Sequence, residues 1–198
     1  MNIARPPSRQ PMPENSQLVF KGILFDVYHW QQEMFDGSFS TFEKLKRTDA
    51  SVIIPVTDDG KIIVTDQQQP GREPYSALPG GHHNVGEDPL HAAKRELLEE
   101  TGYAAEEWEL YMALQPTSKV DWAIYYFVAR GCKRVSDIDL DGGENINLRL
   151  LDFSDFLQYV RRPDFAEREL KLDILEALLE PAKMVTLKQK ILGASHGD

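Results

Sequence analysis

The chain has 198 residues, a formal net charge of −10 at pH 7 and a hydrophobic content of 41%. This length and composition are typical of one globular domain, and no apolar run of about 18 residues indicates a membrane span. The negative charge argues against a general affinity for nucleic acid. Cys132 is the only cysteine, so no disulfide can form within the chain. With an N-terminus that lacks an apolar signal region, this predicts a protein of the reducing cytoplasm.

The N-terminal part divides into a tail and a small sheet. Residues 1–16 are rich in proline and polar residues and lack periodicity, which predicts a mobile tail. Residues 17–48 contain short β-type runs on both sides of Asp36-Gly37, and an Asp-Gly pair is a strong hairpin signal. We therefore expect an antiparallel sheet here, ahead of the main domain.

The main domain is predicted to cover residues 49–181. Runs rich in Val and Ile flank Asp59-Gly60, which indicates a second hairpin. Further strands are predicted at 108–114, 122–129 and 146–153. We expect Ser154 to cap one helix and Pro163 to open another, which ends before Pro181. Residues 182–198 are then a C-terminal tail. Helices on a mixed sheet suit an α/β sandwich.

A central helix is predicted between Asp88 and Gly102. Asp88 can cap free N–H groups, and the proline that follows is tolerated at the first helical position. Gly102 can adopt the left-handed conformation that ends a helix. Ala93 and Leu97 recur at helical spacing, which predicts one apolar face.

Three glutamates share another arc of this helix. Glu96, Glu99 and Glu100 stand at i, i+3 and i+4, a spacing at which like charges repel. Lys94 and Arg95 relieve only part of that repulsion. A hard divalent cation with oxygen ligands would resolve it, and Mg²⁺ is the usual choice where phosphates are present. For such a helix alone, a solvated acidic face is the competing interpretation.

The spacing of the whole stretch decides between these interpretations. Gly81, five residues, Glu87, seven residues and then the run from Arg95 to Gly102 resemble the signature of the Nudix hydrolases at every polar and glycine position. Tyr103 departs from it, because the family usually has an aliphatic residue there. The resemblance implies a Nudix-type α/β/α sandwich with a mixed sheet, here preceded by the small N-terminal antiparallel sheet. It also implies attack of water on the pyrophosphate of a nucleoside diphosphate linked to another moiety.

The resemblance also implies a metal site. The family's ligands correspond to three carboxylates and one main-chain carbonyl: Glu96, Glu99, Glu100 and Gly80. The implied ion is Mg²⁺, with Mn²⁺ as a substitute. Glu87 and Arg95 match a pair that braces the loop against the helix, and Glu87 is also a candidate ligand. His82 and His83 are expected to face solvent rather than bind metal.

The flanking segments resemble the ADP-ribose and nucleoside-diphosphate-sugar pyrophosphatases within the family. The N-terminal sheet, the run from Leu78 to Gly81 and a late acidic loop are the shared features. In that subfamily a glutamate of the late loop serves as the catalytic base or orients the water, and Glu144 matches it best. Asp139 and Asp141 are rivals, and an exposed turn glutamate is the competing interpretation of Glu144.

Substrate contacts follow from the same resemblance. Such proteins form homodimers that exchange their N-terminal sheets, with aromatic residues stacked on the base. Tyr28 and Trp30 are the candidates here, and simple packing in the sheet is an equal alternative. Where relatives carry an arginine for the phosphates this chain has Gln69, so Arg72 is expected to substitute. Two residues lie in the loop that helps to choose the second moiety, where a plain surface loop is equally plausible: Lys119 and Asp121.

The leading hypothesis is therefore a homodimeric, Mg²⁺-dependent pyrophosphatase of ADP-ribose or a related nucleotide sugar. A Nudix hydrolase of triphosphates or dinucleoside polyphosphates is an alternative, which the extra N-terminal sheet disfavours. A non-catalytic nucleotide-sugar sensor is the third, and the intact signature disfavours it. Neither nucleic acid nor a membrane is an expected partner.

Overall fold

The computed structural model describes residues 3–140 and 142–193. The strands are β1 Gln17–Lys21, β2 Asp26–Glu33, β3 Phe39–Lys46, β4 Ala50–Thr57, β5 Ile62–Gln68, β6 Tyr75–Ala77, β7 Gly80–His82, β8 Tyr103–Ala104, β9 Glu107–Leu114, β10 Val120–Asp121, β11 Ile124–Arg134 and β12 Asn145–Leu151. The helices are α1 Pro89–Thr101, α2 Phe153–Val160, α3 Arg168–Leu179 and α4 Pro181–Leu192.

The larger sheet has eight strands and is mixed, as the sequence predicted. Its main path runs β12-β5-β4-β11-β8, with β6 on β5, β7 on β4 and β9 on β11. β4 and β11 pair in parallel at its centre, whereas β4 and β5 form the predicted antiparallel hairpin around Asp59-Gly60. β4 and the first six residues of β11 are almost continuously buried, which is the pattern of strands that are covered on both faces.

Helices cover both faces of this sheet, so the predicted α/β/α sandwich is confirmed. Successive side chains of β4 point to opposite faces. Ile53 packs with Ala93 and Leu97 of α1. Ile54 lies in the opposite core, to which α2, α3 and α4 contribute, for example through Phe156. The rotation of α1 about its axis is thus fixed by its apolar stripe.

The N-terminal sheet contains the predicted antiparallel hairpin, β2–β3, and two further strands, β1 and β10. β1, β2 and β3 pair antiparallel, and the β2–β3 register places Asp26 opposite Lys46 and Glu33 opposite Phe39. The short strand β10 joins β3 in parallel, so the sheet has four strands. β10 comes from a segment for which the sequence predicted only a loop, and it attaches this sheet to the main domain.

The described part of the predicted tail contacts the rest of the fold. The Arg5 guanidinium donates to the Asp49 and Asp121 carboxylates over 2.8 to 2.9 Å. The Lys44 ammonium, which is almost fully buried, donates to the Ser8 hydroxyl and the Gln10 carbonyl. These contacts join residues 34 to 116 positions apart, so composition alone gave no reason to expect them.

The C-terminal helices differ from the predicted ones. α2 is preceded by Asp152 rather than by a Ser154 cap, and α3 begins at Arg168, five residues after Pro163. Pro181 does not end the helical region: it is the first residue of α4, a position where proline's missing N–H costs nothing. Residues 182–193 are therefore part of the fold rather than a tail, and 194–198 lie outside the described residues. Within the described ranges, no helix has the length and apolar character needed to cross a membrane.

Candidate active site

Helix α1 forms as the sequence predicts and presents the three glutamates. The Asp88 side chain accepts hydrogen bonds from the amides of Leu90 and His91, and Gly102 closes the helix with a φ of 72°. Because Ala93 and Leu97 are buried, the opposite face of α1 points towards the loops around β7. Glu96, Glu99 and Glu100 consequently line one cavity of about 790 Å³.

Glu100 is the most deeply placed of the three. It is 5% exposed, and its Oε2 accepts a hydrogen bond of 2.8 Å from the Gly80 amide. Burial, followed by the negative charges of Glu96 and Glu144, raises the pKa of Glu100 to about 9. Without a cation this carboxyl is therefore protonated at neutral pH. Burial likewise raises the pKa of Glu96, and Arg95 opposes that shift.

Arg95 uses all five of its N–H donors. Its Nε and Nη2 donate to the two oxygens of Glu87, each over 3.0 Å, and Nη2 also donates to the carbonyl of His82. Its Nη1 donates to Glu96 over 2.8 Å and to Glu99 over 2.9 Å. The guanidinium therefore joins the loop before α1 to the helix and neutralises part of the glutamate cluster.

Glu87 completes this brace from the loop side. Its Oε2 accepts a further hydrogen bond of 2.8 Å from the Asn84 amide, which closes the loop on itself. The pairing with Arg95 is the main cause that lowers the pKa of Glu87 to about 2. Both of its oxygens accept hydrogen bonds from Arg95, so Glu87 joins the loop to α1 through that guanidinium.

The acidic loop after β11 is attached to the C-terminal end of α1. The amides of Val135 and Ser136 donate to the Gly102 carbonyl, and the Asp139 amide donates to the Glu99 carbonyl over 2.9 Å. Asp139 and Glu144 both line the glutamate cavity. Asp141, the third predicted candidate for a base, lies outside the described residues.

The loop after β5 forms the opposite wall. Arg72 and Gln69 line the cavity, and the Arg72 guanidinium lies 3.4 Å from the centre of the Tyr75 ring. The pairing of Asn145 with Gln68 in the β12–β5 ladder brings this loop next to Glu144. Arg72, the expected substitute for an arginine at position 69, is therefore within the same cavity as the glutamates.

Four predicted substrate contacts lie away from this cavity within one chain. Trp30 is buried and packs edge-to-face on Phe42, and the Lys119 ammonium lies over the same Phe42 ring. Tyr28 and Asp121 line a neighbouring groove of about 750 Å³ between the N-terminal sheet and the loop before α1. These residues do not reach the glutamate cavity because β2 and β10 belong to the N-terminal sheet, which lies on the other side of that groove.

The two histidines after the signature glycine have different environments. His82 is exposed, as predicted, and it contacts Arg47. His83 is buried, which corrects the expectation that it faces solvent: its ring stacks on Tyr125, and its Nε2 lies 2.8 Å from the Ser51 hydroxyl. Alternation along the chain after β7 turns this second ring inwards.

The expected metal-binding atoms of this cavity are oxygens, which is the ligand type that a hard cation needs. Glu96, Glu99, Glu100 and the Gly80 backbone border one cavity, and oxygen ligands are those that Mg²⁺ prefers. Across residues 3–140 and 142–193, no three His, Cys, Asp or Glu side chains are gathered closely enough to hold an ion. The guanidinium of Arg95 holds the carboxylates of Glu96 and Glu99 instead, so these must rotate away from Nη1 before they can bind a metal.

Two residues of this region were not predicted from the sequence. Arg47 lines the cavity from the N-terminal side, and only its position directly after a strand could have indicated it. Glu167 precedes α3, is buried, and accepts a hydrogen bond from the Leu78 amide in the segment that leads to Gly80. Its burial depends on packing between distant elements, so no local pattern reveals it.

Comparison with known proteins agrees with this geometry. The family model described as the NUDIX domain matches residues 46–172. A methanol dehydrogenase activator from Bacillus methanolicus is 31% identical over 74% of this chain and 80% of its own length. An ADP-ribose pyrophosphatase from Bacillus subtilis is 30% identical over 72% of this chain and 78% of its own.

A solved structure shares the fold. The crystal structure of an ADP compounds hydrolase superposes with a TM-score of 0.68 at 21% identity and covers 89% of this chain and 97% of its own. The family match covers more than half of the chain and includes every residue of the signature. With the braced glutamate helix described above, these findings establish that the chain belongs to the Nudix family of hydrolases.

Proposed function

We propose that this hydrolase cleaves the pyrophosphate bond of ADP-ribose or a related nucleoside diphosphate sugar, and releases a nucleoside monophosphate and a sugar phosphate. The observation that carries the proposal is one cavity that combines the signature glutamates with Arg72 and Glu144. The relative named as an ADP-ribose pyrophosphatase supports this substrate class. We place the reaction in the cytoplasm, as the single cysteine suggests.

Glu96, Glu99, Glu100 and the Gly80 carbonyl would hold Mg²⁺, or Mn²⁺ in its place, and Glu87 would act through Arg95. A bound divalent ion would neutralise charge on the phosphoryl oxygens and orient the attacking water. The chain itself supplies the geometry. Arg95 fixes the preceding loop to α1 through its hydrogen bond to Glu87, and the Gly80 amide holds the Glu100 carboxyl against β7.

Glu144 is our candidate for the base that accepts the proton of the attacking water. It lines the cavity, and its charge is felt by both Glu96 and Glu100, as expected for a group across the cavity from them. The neighbouring Gly142 and Gly143 have open space around them, so the loop can change conformation over bound substrate. Asp139 is the rival, with its backbone attached to Glu99.

We further propose a homodimer that forms through the N-terminal sheet. All five residues of β1 are exposed, and Phe20 and Phe39 expose more than half of their surface. An exposed apolar patch of this kind is typical of an interaction surface. Since Tyr28 and Trp30 do not reach the cavity of their own chain, any stacking on the substrate base would have to come from the second subunit.

The experiment is a substrate panel with Mg²⁺, read as phosphate release after a phosphatase is added. It contains ADP-ribose, nucleotide sugars, NADH, dinucleoside polyphosphates and nucleoside triphosphates. The proposal expects a clear preference for ADP-ribose or a nucleotide sugar, and a loss of several orders of magnitude in Glu99→Gln and Glu100→Gln. Undiminished activity in both variants would overturn the metal assignment.

Other outcomes of the panel favour other functions. A preference for triphosphates or dinucleoside polyphosphates would identify a different Nudix substrate. Binding without turnover of any compound would favour a nucleotide-sugar sensor. The relative named as a methanol dehydrogenase activator is the observation behind that alternative, since an activator acts on a partner enzyme.

A further inference from the structure

The Arg5 guanidinium binds two carboxylates that belong to different parts of the fold. Its Nε and Nη2 donate to the two oxygens of Asp49 over 2.8 and 2.9 Å, and its Nη1 donates to Asp121 over 2.9 Å. Asp49 lies in the linker between β3 and β4, whereas Asp121 is the last residue of β10. The two carboxylate side chains are only 17% and 16% exposed. A two-pronged contact to largely buried acids is stronger than an ordinary surface ion pair.

Asp49 links Arg5 to the main domain. Its Oδ1 also accepts a hydrogen bond of 2.8 Å from the amide of Ala123, the residue before β11. Its carbonyl accepts one of 2.9 Å from the amide of His83, in the loop between β7 and α1. Arg5 is therefore connected, through one acidic residue, to a central strand and to the loop that leads into the glutamate helix.

Three further hydrogen bonds attach the same N-terminal segment. The Lys44 ammonium, which belongs to β3 and is almost fully buried, donates to the Ser8 hydroxyl over 2.8 Å and to the Gln10 carbonyl over 2.6 Å. The Gln115 side chain, directly after β9, donates to the Pro6 carbonyl over 3.0 Å. The segment therefore bridges the N-terminal sheet and the larger sheet.

Residues 5–10, which we call the strap, place Arg5 beside a groove that adjoins the candidate active site. Arg5, Asp49 and Asp121 all line the groove of about 750 Å³ next to the N-terminal sheet. Asn84 lines both this groove and the glutamate cavity, so the two spaces adjoin. A ligand that is bound at the glutamates and extends into the groove would lie beside these three charged side chains.

Arg5 also determines the charge of this wall of the groove. Without its guanidinium, the carboxylates of Asp49 and Asp121 would lose the cation that both of them bind. The groove adjoins a cavity that already contains three glutamates, so two further uncompensated negative charges would repel a ligand that carries phosphate groups. The pairing with Arg5 offsets part of this repulsion and holds both carboxylates in place.

We propose that Arg5 is a positioning residue for the substrate: it fixes β10 to the linker between β3 and β4, so that the groove keeps the shape and the charge that an extended nucleotide requires. The inference rests on the proposed function, since it takes the glutamate cavity as the place where the diphosphate binds. Arg5 does not line that cavity, so it acts on affinity rather than on bond cleavage.

Hydrogen exchange and equilibrium binding test this without turnover. The proteins are the wild type, Arg5→Met, Arg5→Lys and a control, Arg9→Met. Arg9 is the matched control because it is an exposed arginine of the same strap that borders neither the groove nor the glutamate cavity. The ligand is α,β-methylene-ADP with Mg²⁺, since its diphosphate cannot be hydrolysed at the bridge.

We expect the amides of His83 and Ala123 to exchange about tenfold faster in Arg5→Met, because Asp49 accepts both of their hydrogen bonds. Binding of α,β-methylene-ADP should weaken by about tenfold. Arg5→Lys should fall in between, because lysine keeps the charge but cannot bind both acids with a planar fork. Arg9→Met should match the wild type in both measurements.

Either of two results would overturn the inference. Unchanged affinity in Arg5→Met, even with faster exchange, would mean that the contacts of Arg5 only stabilise the fold. Exchange at the wild-type rate would mean that Arg5 does not fix this junction. A loss of affinity in Arg9→Met as large as that in Arg5→Met would also contradict it, because charge anywhere on the strap would then suffice.

The two proposals can fail separately. If the wild type hydrolyses nucleotide sugars but Arg5→Met binds α,β-methylene-ADP normally, only the inference fails. If no compound is hydrolysed and Arg5→Met still shows faster exchange and weaker binding, only the proposed activity fails. Should Arg5→Met not fold, Arg5→Lys retains the aliphatic stem and the charge, and the same two measurements on it decide the question.

Discussion

The carboxylate of Glu96 lies where a side chain at position 81 would have to begin. A Cβ atom placed on Gly81 would be 2.5 Å from Oε1 and 2.6 Å from both Cδ and Oε2 of Glu96. Contacts this short do not occur, so a side chain at position 81 would push the Glu96 carboxylate out of its place, and glycine leaves that place free. The signature glycine is therefore required by a catalytic candidate rather than by its own backbone conformation.

Gly81→Ala should displace Glu96 and reduce turnover by about a hundredfold, since small misplacements of reacting groups cost that much. The effect on stability should be small, because the group that has to move is the far end of a flexible side chain. Urea unfolding and kcat are the measurements. A large loss of stability, or an unchanged kcat, would mean that the Glu96 carboxylate does not give way to the new methyl group.

The raised pKa of Glu100 predicts that the stability of the metal-free protein depends on pH. Burial raises its folded pKa to about 9, against about 4.5 when unfolded, so the unfolded chain loses a proton that the folded chain keeps. Stability should therefore fall as pH rises from about 4.5 to about 9. Glu100→Gln has no proton to lose, so with EDTA it should become increasingly more stable than the wild type over this window.

Thermal melts at a series of pH values test this prediction. The two proteins should differ least near pH 4 and most near pH 9. Addition of Mg²⁺ should raise the wild-type melting temperature more than that of Glu100→Gln, because a cation would relieve the buried charge. A constant difference across the series would contradict the raised pKa.

The lowered pKa of Glu87 predicts that its contribution to stability depends on pH with the opposite sign. Its pKa is lowered to about 2 in the folded state by Arg95, so its pairing contributes stability that is complete above about pH 4.5 and lost as pH falls towards 2. The stability difference between wild type and Glu87→Gln in EDTA should therefore shrink over that range. Urea unfolding at pH 6, 4 and 2.5 measures it. A difference that persists at pH 2.5 would mean that the brace does not depend on the Glu87 charge.

The parts of the structure that the sequence predicted are those set by local chemistry. Asp88 and Gly102 bound α1 because capping and the left-handed conformation involve only neighbouring residues. The hairpins at Asp36-Gly37 and Asp59-Gly60 follow from turn chemistry in the same way. A proline such as Pro181 can either end a helix or begin one, and only the packing of α4 decides between them.

The residues that were not predicted from the sequence are those whose positions depend on contacts between distant segments. Arg47 is placed by Phe25 and Trp122, which belong to the N-terminal sheet region and to the segment before β11. Its place at the cavity could not be inferred until those segments were brought together. The same holds for Arg5, whose carboxylate partners are at positions 49 and 121.

Glu144→Gln and Asp139→Asn should separate the two candidates for the base. If Glu144 accepts the proton, its substitution should lower kcat by about a hundredfold to ten-thousandfold, whereas Asp139→Asn should stay within about tenfold of the wild type. The acidic limb of the kcat–pH profile should also disappear in Glu144→Gln. The reverse ranking would assign the role to Asp139, whose amide is already attached to Glu99.

The exposed aromatic residues of the N-terminal sheet predict a dimer whose formation depends on them. Phe20 and Phe39 are 61% and 65% exposed in the single chain, and their replacement by serine should convert a dimer into a monomer in light scattering after gel filtration. Leu172→Ser is the matched control, because Leu172 is 66% exposed on α3, away from this sheet. If the second subunit supplies contacts to the substrate base, kcat/KM should fall with dimerisation in Phe20→Ser/Phe39→Ser and stay unchanged in Leu172→Ser. A wild-type monomer at micromolar concentration would contradict the dimer, and the predicted roles of Tyr28 and Trp30 in base stacking would fall with it.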